Sequence, residues 1–340
     1  MTKKRIKALF LVFVFCIMLT GCFGSNNEKP PTDLPNPTEN PPTIKGVHLH
    51  RKGDWDQLMA GETVSLQWNV EMNDGTILPL DGEHTVISLT EGVQVHDGLL
   101  HVGDGFITGD RIRIRVTYQG LEIDETIKIA NFLSKTIDSE GIVTNPSSID
   151  VVVNKQRSLP SDFEPDDLMT VTVPTALPNP EIRQLRRVAS EALSDMFQAA
   201  EQEAGLILVA RSGYRSYNTQ VSLYNNYVTR WGQEEADKFS AKPGQSEHQT
   251  GLAMDITAAS VNYELSDDFG ETLEGSWVRE NAHRFGFVIR YPKGKEEITG
   301  YQYEPWHLRY LGINLATIIV ESGLTMEEYF QTFENGANHN

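Results

Sequence analysis

Two short segments concentrate side chains able to bind a cation and move a proton: Ser246-Glu247-His248-Gln249-Thr250-Gly251-Leu252-Ala253-Met254-Asp255 and Glu304-Pro305-Trp306-His307. A catalytic zinc ion takes three protein ligands from imidazole and carboxylate groups and leaves its fourth position to water. His248, Asp255 and His307 supply two imidazoles and one carboxylate of that kind. Zinc lowers the pKa of its water to about 7, and a neighbouring carboxylate can then accept the proton. Glu304 is the natural candidate for this base. Residues three apart on a regular strand face opposite sides, so Glu304 and His307 share a site only where the backbone departs from regular pairing. Pro305 lacks the N–H a ladder needs, so Glu304 can sit in a turn and still reach the metal.

The elements that must hold these segments read as an α+β domain with a small, mainly antiparallel sheet and flanking helices. Asn179 followed by Pro180 can open a helix, and Ile182, Leu185, Ala189, Ala192, Leu193, Met196 and Ala200 recur at helical spacing up to Gly205. A buried strand is expected over 206–209, then a second helix through Val221, Tyr224, Tyr227, Val228 and Trp231 to Gly232. A third helix over 276–285 should stop at Gly286, with strands over 287–289 and 306–310 beyond it. Two helices close the domain, the last opened by the capping box Thr325-x-x-Glu328.

Ahead of this domain, residues 44–132 read as all-β. Arg111-Ile112-Arg113-Ile114-Arg115-Val116 alternates strictly, which places the aliphatic residues on one face and the arginines in water. Strand-like runs over 63–70, 85–89 and 121–129 are separated by turn signals at Asn73-Asp74-Gly75, Asp97-Gly98 and Gln119-Gly120. Such spacing implies a β-sandwich, and Ala60-Gly61-Glu62-Thr63-Val64-Ser65-Leu66 loosely resembles a bacterial immunoglobulin-like module. Residues 22–43 are rich in Pro, Asn and Thr and fit an extended spacer. The expected division is thus 1–21 leader, 22–43 linker, 44–132 sandwich, 133–149 connector, 150–333 zinc domain and 334–340 tail.

The 340 residues carry a formal net charge of −18, more negative still once the leader with Lys3, Lys4, Arg5 and Lys7 is removed. A charge of that sign repels phosphate backbones and anionic headgroups, which argues against nucleic acid as a partner and against a basic membrane-docking patch. Attachment to a membrane would then need a covalent anchor. Leu19-Thr20-Gly21-Cys22 follows a basic stretch and an apolar run too short to span a bilayer. It resembles the lipobox of bacterial lipoproteins, with Cys22 as the lipidated first residue of the mature chain. Cys16 lies in the leader, so Cys22 would be the only mature cysteine, which excludes an internal disulfide and a cysteine-ligated metal.

Taken together, Ser-x-His-x-x-Gly-x-Ala-x-Asp followed by Glu-x-x-His resembles the VanY-type D-alanyl-D-alanine carboxypeptidases, within the superfamily shared by lysostaphin, D-Ala-D-Ala metallopeptidases and hedgehog proteins. The similarity extends to Val153-Asn154-Lys155, Leu159-Pro160, Pro165-Asp166-Asp167-Leu168 and Ser212-Gly213-Tyr214-Arg215-Ser216. The resemblance implies His248, Asp255 and His307 as zinc ligands and Glu304 as general base. Arg215 falls where the family places an arginine near the scissile bond, able to hold a carboxylate bidentately or stabilise an oxyanion. Ser246 and Gln220 fall at positions able to line the substrate cleft, while Gly251 and Ala253 keep the ligand-bearing segment slim.

The implied reaction is hydrolysis of the terminal D-alanine bond of a peptidoglycan stem peptide by a monomeric, lipid-anchored extracytoplasmic enzyme. An L,D-carboxypeptidase, a peptidoglycan endopeptidase and a non-catalytic wall-binding lipoprotein are the alternatives the sequence leaves open.

Overall fold

The structure, a computed structural model, describes residues 43–50, 57–80 and 83–336. The leader, Cys22 and the Pro-rich spacer lie outside the described residues. The described residues belong to one compact unit.

Residues 44–129 are all-β, as the alternation predicts. A four-stranded sheet contains Gln57–Leu58, Leu121–Ile129, Arg111–Tyr118 and His84–Ser88 in that spatial order, and two three-stranded sheets complete the region. Ile112, Ile114 and Val116 are buried with Trp68, Leu100, Val102 and Ile127 in one apolar core, while the alternate arginines face outward. The predicted turns form as tight hairpins. Tyr118 pairs with Leu121 across Gln119 and Gly120, both at positive φ, and His96 pairs with Leu99 across Asp97 and Gly98, also both positive. Two successive left-handed residues are what a type I′ turn requires.

The second half is α+β. Its principal sheet has four strands in the order Val209–Ser212, Ala253–Thr257, Glu304–Tyr310, Phe287–Tyr291, and every pairing is antiparallel. Alternation divides its two faces. Met254, Ile256 and Leu308 point into a core with Leu193, Met196, Phe197 and Ala200 of the Arg187–Ala204 helix and with Trp277 and Val278. Asp255, His307 and Arg309 therefore project from the opposite face.

The structure corrects three expectations of detail. The helical spacing from Ile182 does not begin a helix. Glu181–Arg183 is a single 3-10 turn and Gln184–Arg186 is a strand paired with Leu168–Thr170, so the α-helix starts at Arg187. Leu185 is fully buried from that strand, which is why it matched the apolar pattern. The strand expected over 206–209 begins only at Val209. The last correction concerns Glu304, which is the first residue of a strand and not part of a turn.

The helix expected over 276–285 forms in two parts, an α-helix over Leu273–Asn281 and a 3-10 turn over Ala282–Phe285 that stops at Gly286. Ser216 caps the Tyr217–Trp231 helix by accepting from Thr219 N, and Gly232 ends it at φ 82°. Thr325 and Glu328 close the predicted capping box, with Thr325 N donating to Glu328 Oε2 at 2.8 Å and Glu328 N to Thr325 Oγ1 at 3.2 Å.

The β-rich half is joined to this domain by more than a connector. Ile107 and Leu133 pack against a core containing Leu315, Ile319 and Phe330. Buried Asp150 accepts from Thr108 N at 2.9 Å and Thr108 Oγ1 at 2.7 Å, and from the Asn131 amide. Among the described residues no helix is long and apolar enough to cross a membrane.

Candidate metal centre and active-site cleft

Asp255 and His307 lie directly opposite each other on adjacent strands, so their side chains emerge side by side. His307 Nδ1 is 3.0 Å from Asp255 Oδ1. His248 reaches the same point from a 3-10 turn, Glu247–Thr250, with Nε2 3.3 Å from Asp255 Oδ2. That turn ends at Gly251 with φ 66°, where a Cβ would meet Leu168 Cδ2 at 2.8 Å and Arg186 Cγ at 2.9 Å. Only glycine fits both the backbone and the space. One ligand atom from each of His248, Asp255 and His307 falls within a 4.8 Å cluster, and all three residues are buried.

Glu304 and His307 share this site because the strand is irregular. Ile289 pairs with Leu308 but Tyr291 with Glu304, so one residue on the edge strand faces three on its neighbour. Such a bulge breaks the alternation that would send the two side chains to opposite faces. Glu304 Oε2 lies 3.8 Å from His307 Nδ1.

The residues present fit zinc. His248 Nδ1 lies 2.8 Å from the carbonyl of Gly213 and donates to it, which leaves Nε2 free to ligate. His307 Nε2 faces Glu247 Oε2 at 3.4 Å, which leaves Nδ1 free. Both rings thus have their outer nitrogen engaged, and the remaining set of two nitrogens and one carboxylate oxygen, without thiolate, is of the catalytic zinc type.

Electrostatics agree with a cation-binding role. Burial favours the neutral acid at Asp255, but His248 and His307 outweigh it and hold the carboxyl well below the usual range. Burial also opposes charge on His307, yet hydrogen bonds to Asp255 and Glu247 push that imidazole up to about 9. The acceptors that draw a proton there draw a divalent ion equally. Glu304 behaves in the opposite sense. Burial pushes its carboxyl up to about 7 despite the lowering influence of His307 and Arg215. A carboxyl near neutrality is matched to proton transfer.

The cleft over these groups has a volume of about 360 Å³ and is lined by Arg215, Ser246, Tyr227, Tyr291, Tyr301 and Trp306 among others. Arg215 is fixed from behind, donating to Gln220 Oε1 at 2.7 Å and Ser212 Oγ at 3.3 Å. Gln220 is buried with its amide nitrogen on the carbonyl of Ala241, so the structure makes it a brace for Arg215 and not part of the cleft wall. Ser246 does line the cleft.

Sequence reasoning missed Tyr291, whose ring packs 4.9 Å from that of His307, and Tyr301 beyond it at 4.8 Å. It also missed Glu247 and the buried arginines it contacts, Arg290 and Arg309. The signal was present as charged residues inside otherwise apolar strands, Phe287-Val288-Ile289-Arg290-Tyr291 and Leu308-Arg309-Tyr310.

A three-ligand nitrogen–oxygen centre with a near-neutral carboxyl beside it, at the floor of an open cleft, is a hydrolytic metal site of the metallopeptidase class. The VanY family model, described as D-alanyl-D-alanine carboxypeptidase, matches residues 182–313. The chain is 48% identical over 198 residues to the "Putative carboxypeptidase YodJ" of Bacillus subtilis (strain 168), covering 58% of this chain and 72% of that protein. It is 36% identical over 191 residues to a D-alanyl-D-alanine carboxypeptidase of Enterococcus faecalis (strain ATCC 700802 / V583), covering 54% of this chain and 65% of the relative. Among solved structures, that of the LdcB LD-carboxypeptidase superposes with a TM-score of 0.55 at 47% identity, over 57% of this chain and 91% of its own. The chain belongs to the VanY family of D-alanyl-D-alanine carboxypeptidases, a family of zinc metallopeptidases.

Proposed function

We propose that the protein removes the C-terminal D-alanine from peptidoglycan stem peptides. The observation that carries this reading is the convergence of His248, Asp255 and His307 beside Glu304, with Arg215 fixed on the same cleft. Zinc bound there supplies Lewis-acid polarisation of a carbonyl and a more acidic water. Glu304 takes a proton from the attacking water and delivers it to the nitrogen of the leaving D-alanine. The Arg215 guanidinium, held by Gln220 and Ser212, offers its outward N–H groups to oxygen charge at the scissile bond or to the terminal carboxylate.

Relatives named D-alanyl-D-alanine carboxypeptidases support cleavage of pentapeptide stems. The higher identity to the LdcB LD-carboxypeptidase supports a second reading, cleavage of tetrapeptide stems. Digestion of defined penta- and tetrapeptides by the zinc-loaded protein, with mass spectrometry of the products, decides between them. Shortening of the pentapeptide alone supports the first reading and of the tetrapeptide alone the second; release of D-alanine from neither contradicts both. Arg215→Lys keeps the charge but loses the planar fork, and we expect kcat/KM to fall about 100-fold with zinc content unchanged. Steady-state kinetics together with metal analysis checks this.

We also propose that Cys22 carries a lipid that holds a monomeric enzyme at the outer face of a membrane, with an immunoglobulin-like module between anchor and enzyme. Support comes from the Leu19-Thr20-Gly21-Cys22 pattern and from a net charge of −18 that gives anionic headgroups nothing to attract. Cys22→Ser should move the protein from the membrane to the soluble fraction. Retention in the membrane would contradict the anchor.

A further inference from the structure

The mechanism leaves unexplained a quartet of charges beneath the metal centre, three of them fully buried and the fourth, Glu327, nearly so. Glu247 Oε1 accepts from Arg290 Nε and from Arg309 Nη1, both at 2.8 Å. Arg290 turns its other nitrogens to Glu327 of the Met326–Gly336 helix, at 2.8 and 2.5 Å. Arg309 Nη2 is cradled by the carbonyls of Ile149 and Val151, each at 2.8 Å. The side chains of Glu247, Arg290 and Arg309 are all 0% exposed.

Two carboxylates and two guanidinium groups balance in charge, yet buried ion pairs of this kind give no general stability advantage over apolar packing of the same volume. Their distinguishing property is geometric. With Oε1 committed to both arginines, Glu247 has one oxygen left, and Oε2 faces His307 Nε2 at 3.4 Å. An anchored carboxylate there accepts the Nε2 proton, which leaves the Nδ1 lone pair to point at Asp255 and the centre. The ring is also clamped on its flank by Tyr291.

We propose that Glu247 is a positioning residue that fixes His307 as an Nδ1 ligand, with Arg290 and Arg309 holding Glu247 in the one orientation that does so. The proposal rests on the metal-site reading given above. It assigns to the residue between Ser246 and His248 a part in metal affinity that no contact with substrate would explain, since its carboxylate lies behind the ligand.

The test compares full-length wild-type protein with Glu247→Gln and Glu327→Gln, measuring zinc dissociation constants by competition with a chromophoric chelator and metal-free thermal stability alongside. Glu247→Gln is expected to weaken zinc binding about 10- to 100-fold, the range seen when such outer partners of ligating histidines are removed. Glu327→Gln, at the far end of the quartet, should lower stability while zinc affinity stays within about threefold, because Arg309 still orients Glu247. Should Glu247→Gln fail to fold, nitrogen-15 NMR of the wild-type zinc protein decides, with His307 expected to carry its proton on Nε2.

The proposal is overturned by Glu247→Gln binding zinc as wild type does, by both variants weakening zinc equally, or by a proton on His307 Nδ1. Failure of the wild-type protein itself to bind zinc would instead remove the metal-site reading.

Discussion

Glu304→Ala is expected to retain one zinc per chain and to lose about 1,000-fold in kcat, the scale on which a positioned general acid–base contributes. The separation of these effects follows from the geometry. Glu304 lies beside the centre, 3.8 Å from His307 Nδ1, and the three ligand atoms cluster without it. Removing its carboxylate leaves the ligands and the supports of both imidazoles in place. Catalysis falls because, among the described residues, no other carboxylate lining the cleft is available as a base. Asp255 is committed to both histidines, and Glu247 to two arginines. Substrate affinity should change far less than turnover, since Arg215 and its braces are untouched. Near-normal turnover with metal present would show that another group moves the proton.

His248→Ala should abolish both zinc binding and activity, with kcat/KM down more than about 10,000-fold. Two ligands on neighbouring strands do not make a catalytic zinc site. The loss also leaves Asp255 with His307 as its sole imidazole partner and the carbonyl of Gly213 without its donor. Metal analysis after dialysis, with circular dichroism to confirm the fold, distinguishes ligand loss from unfolding. A folded His248→Ala protein that kept one zinc per chain would refute the ligand assignment.

How far the site could be read in advance varied with the kind of residue. His248, Asp255, His307 and Glu304 were legible together, because Ser-x-His-x-x-Gly-x-Ala-x-Asp followed by Glu-x-x-His resembles the VanY-family motif and supplies a zinc-type ligand set with a base, whereas each residue alone said little. The way Glu304 reaches the centre was not. A missing N–H at Pro305 suggested a turn, whereas the chain solves the problem with unequal strand lengths between two paired positions. That mismatch depends on where the edge strand Phe287–Tyr291 docks, which no local pattern encodes.

Gln220 was placed near the substrate from its position alone, and the structure puts it one layer back, against Arg215 and Ala241. Glu247, Arg290 and Arg309 were missed for a different reason. Charged side chains are usually solvated, and only the tertiary fold shows that these three meet in the interior.

At the level of elements, strict alternation was the dependable signal. The arginine–isoleucine repeat over 111–116 gave its strand and its buried face correctly. Helical spacing was weaker where a strand intervened. Leu185 fitted a helix by count, but the ladder with Leu168–Thr170 takes Gln184–Arg186 as strand and delays the helix to Arg187. Caps and stops carried more information than periodicity there, as Gly205 and the Thr325–Glu328 box show. The union of the two halves through Asp150 and Ile107 had no sequence signature, because it joins residues whose partners lie far along the chain.

Diffraction from crystals of the zinc-loaded protein, recorded on either side of the zinc absorption edge, tests the central assignment most directly. A single anomalous peak bonded to His248 Nε2, an Asp255 oxygen and His307 Nδ1, with Glu304 alongside but unbonded, is the predicted result. An empty position between those three side chains, or a peak held by other residues, would contradict it.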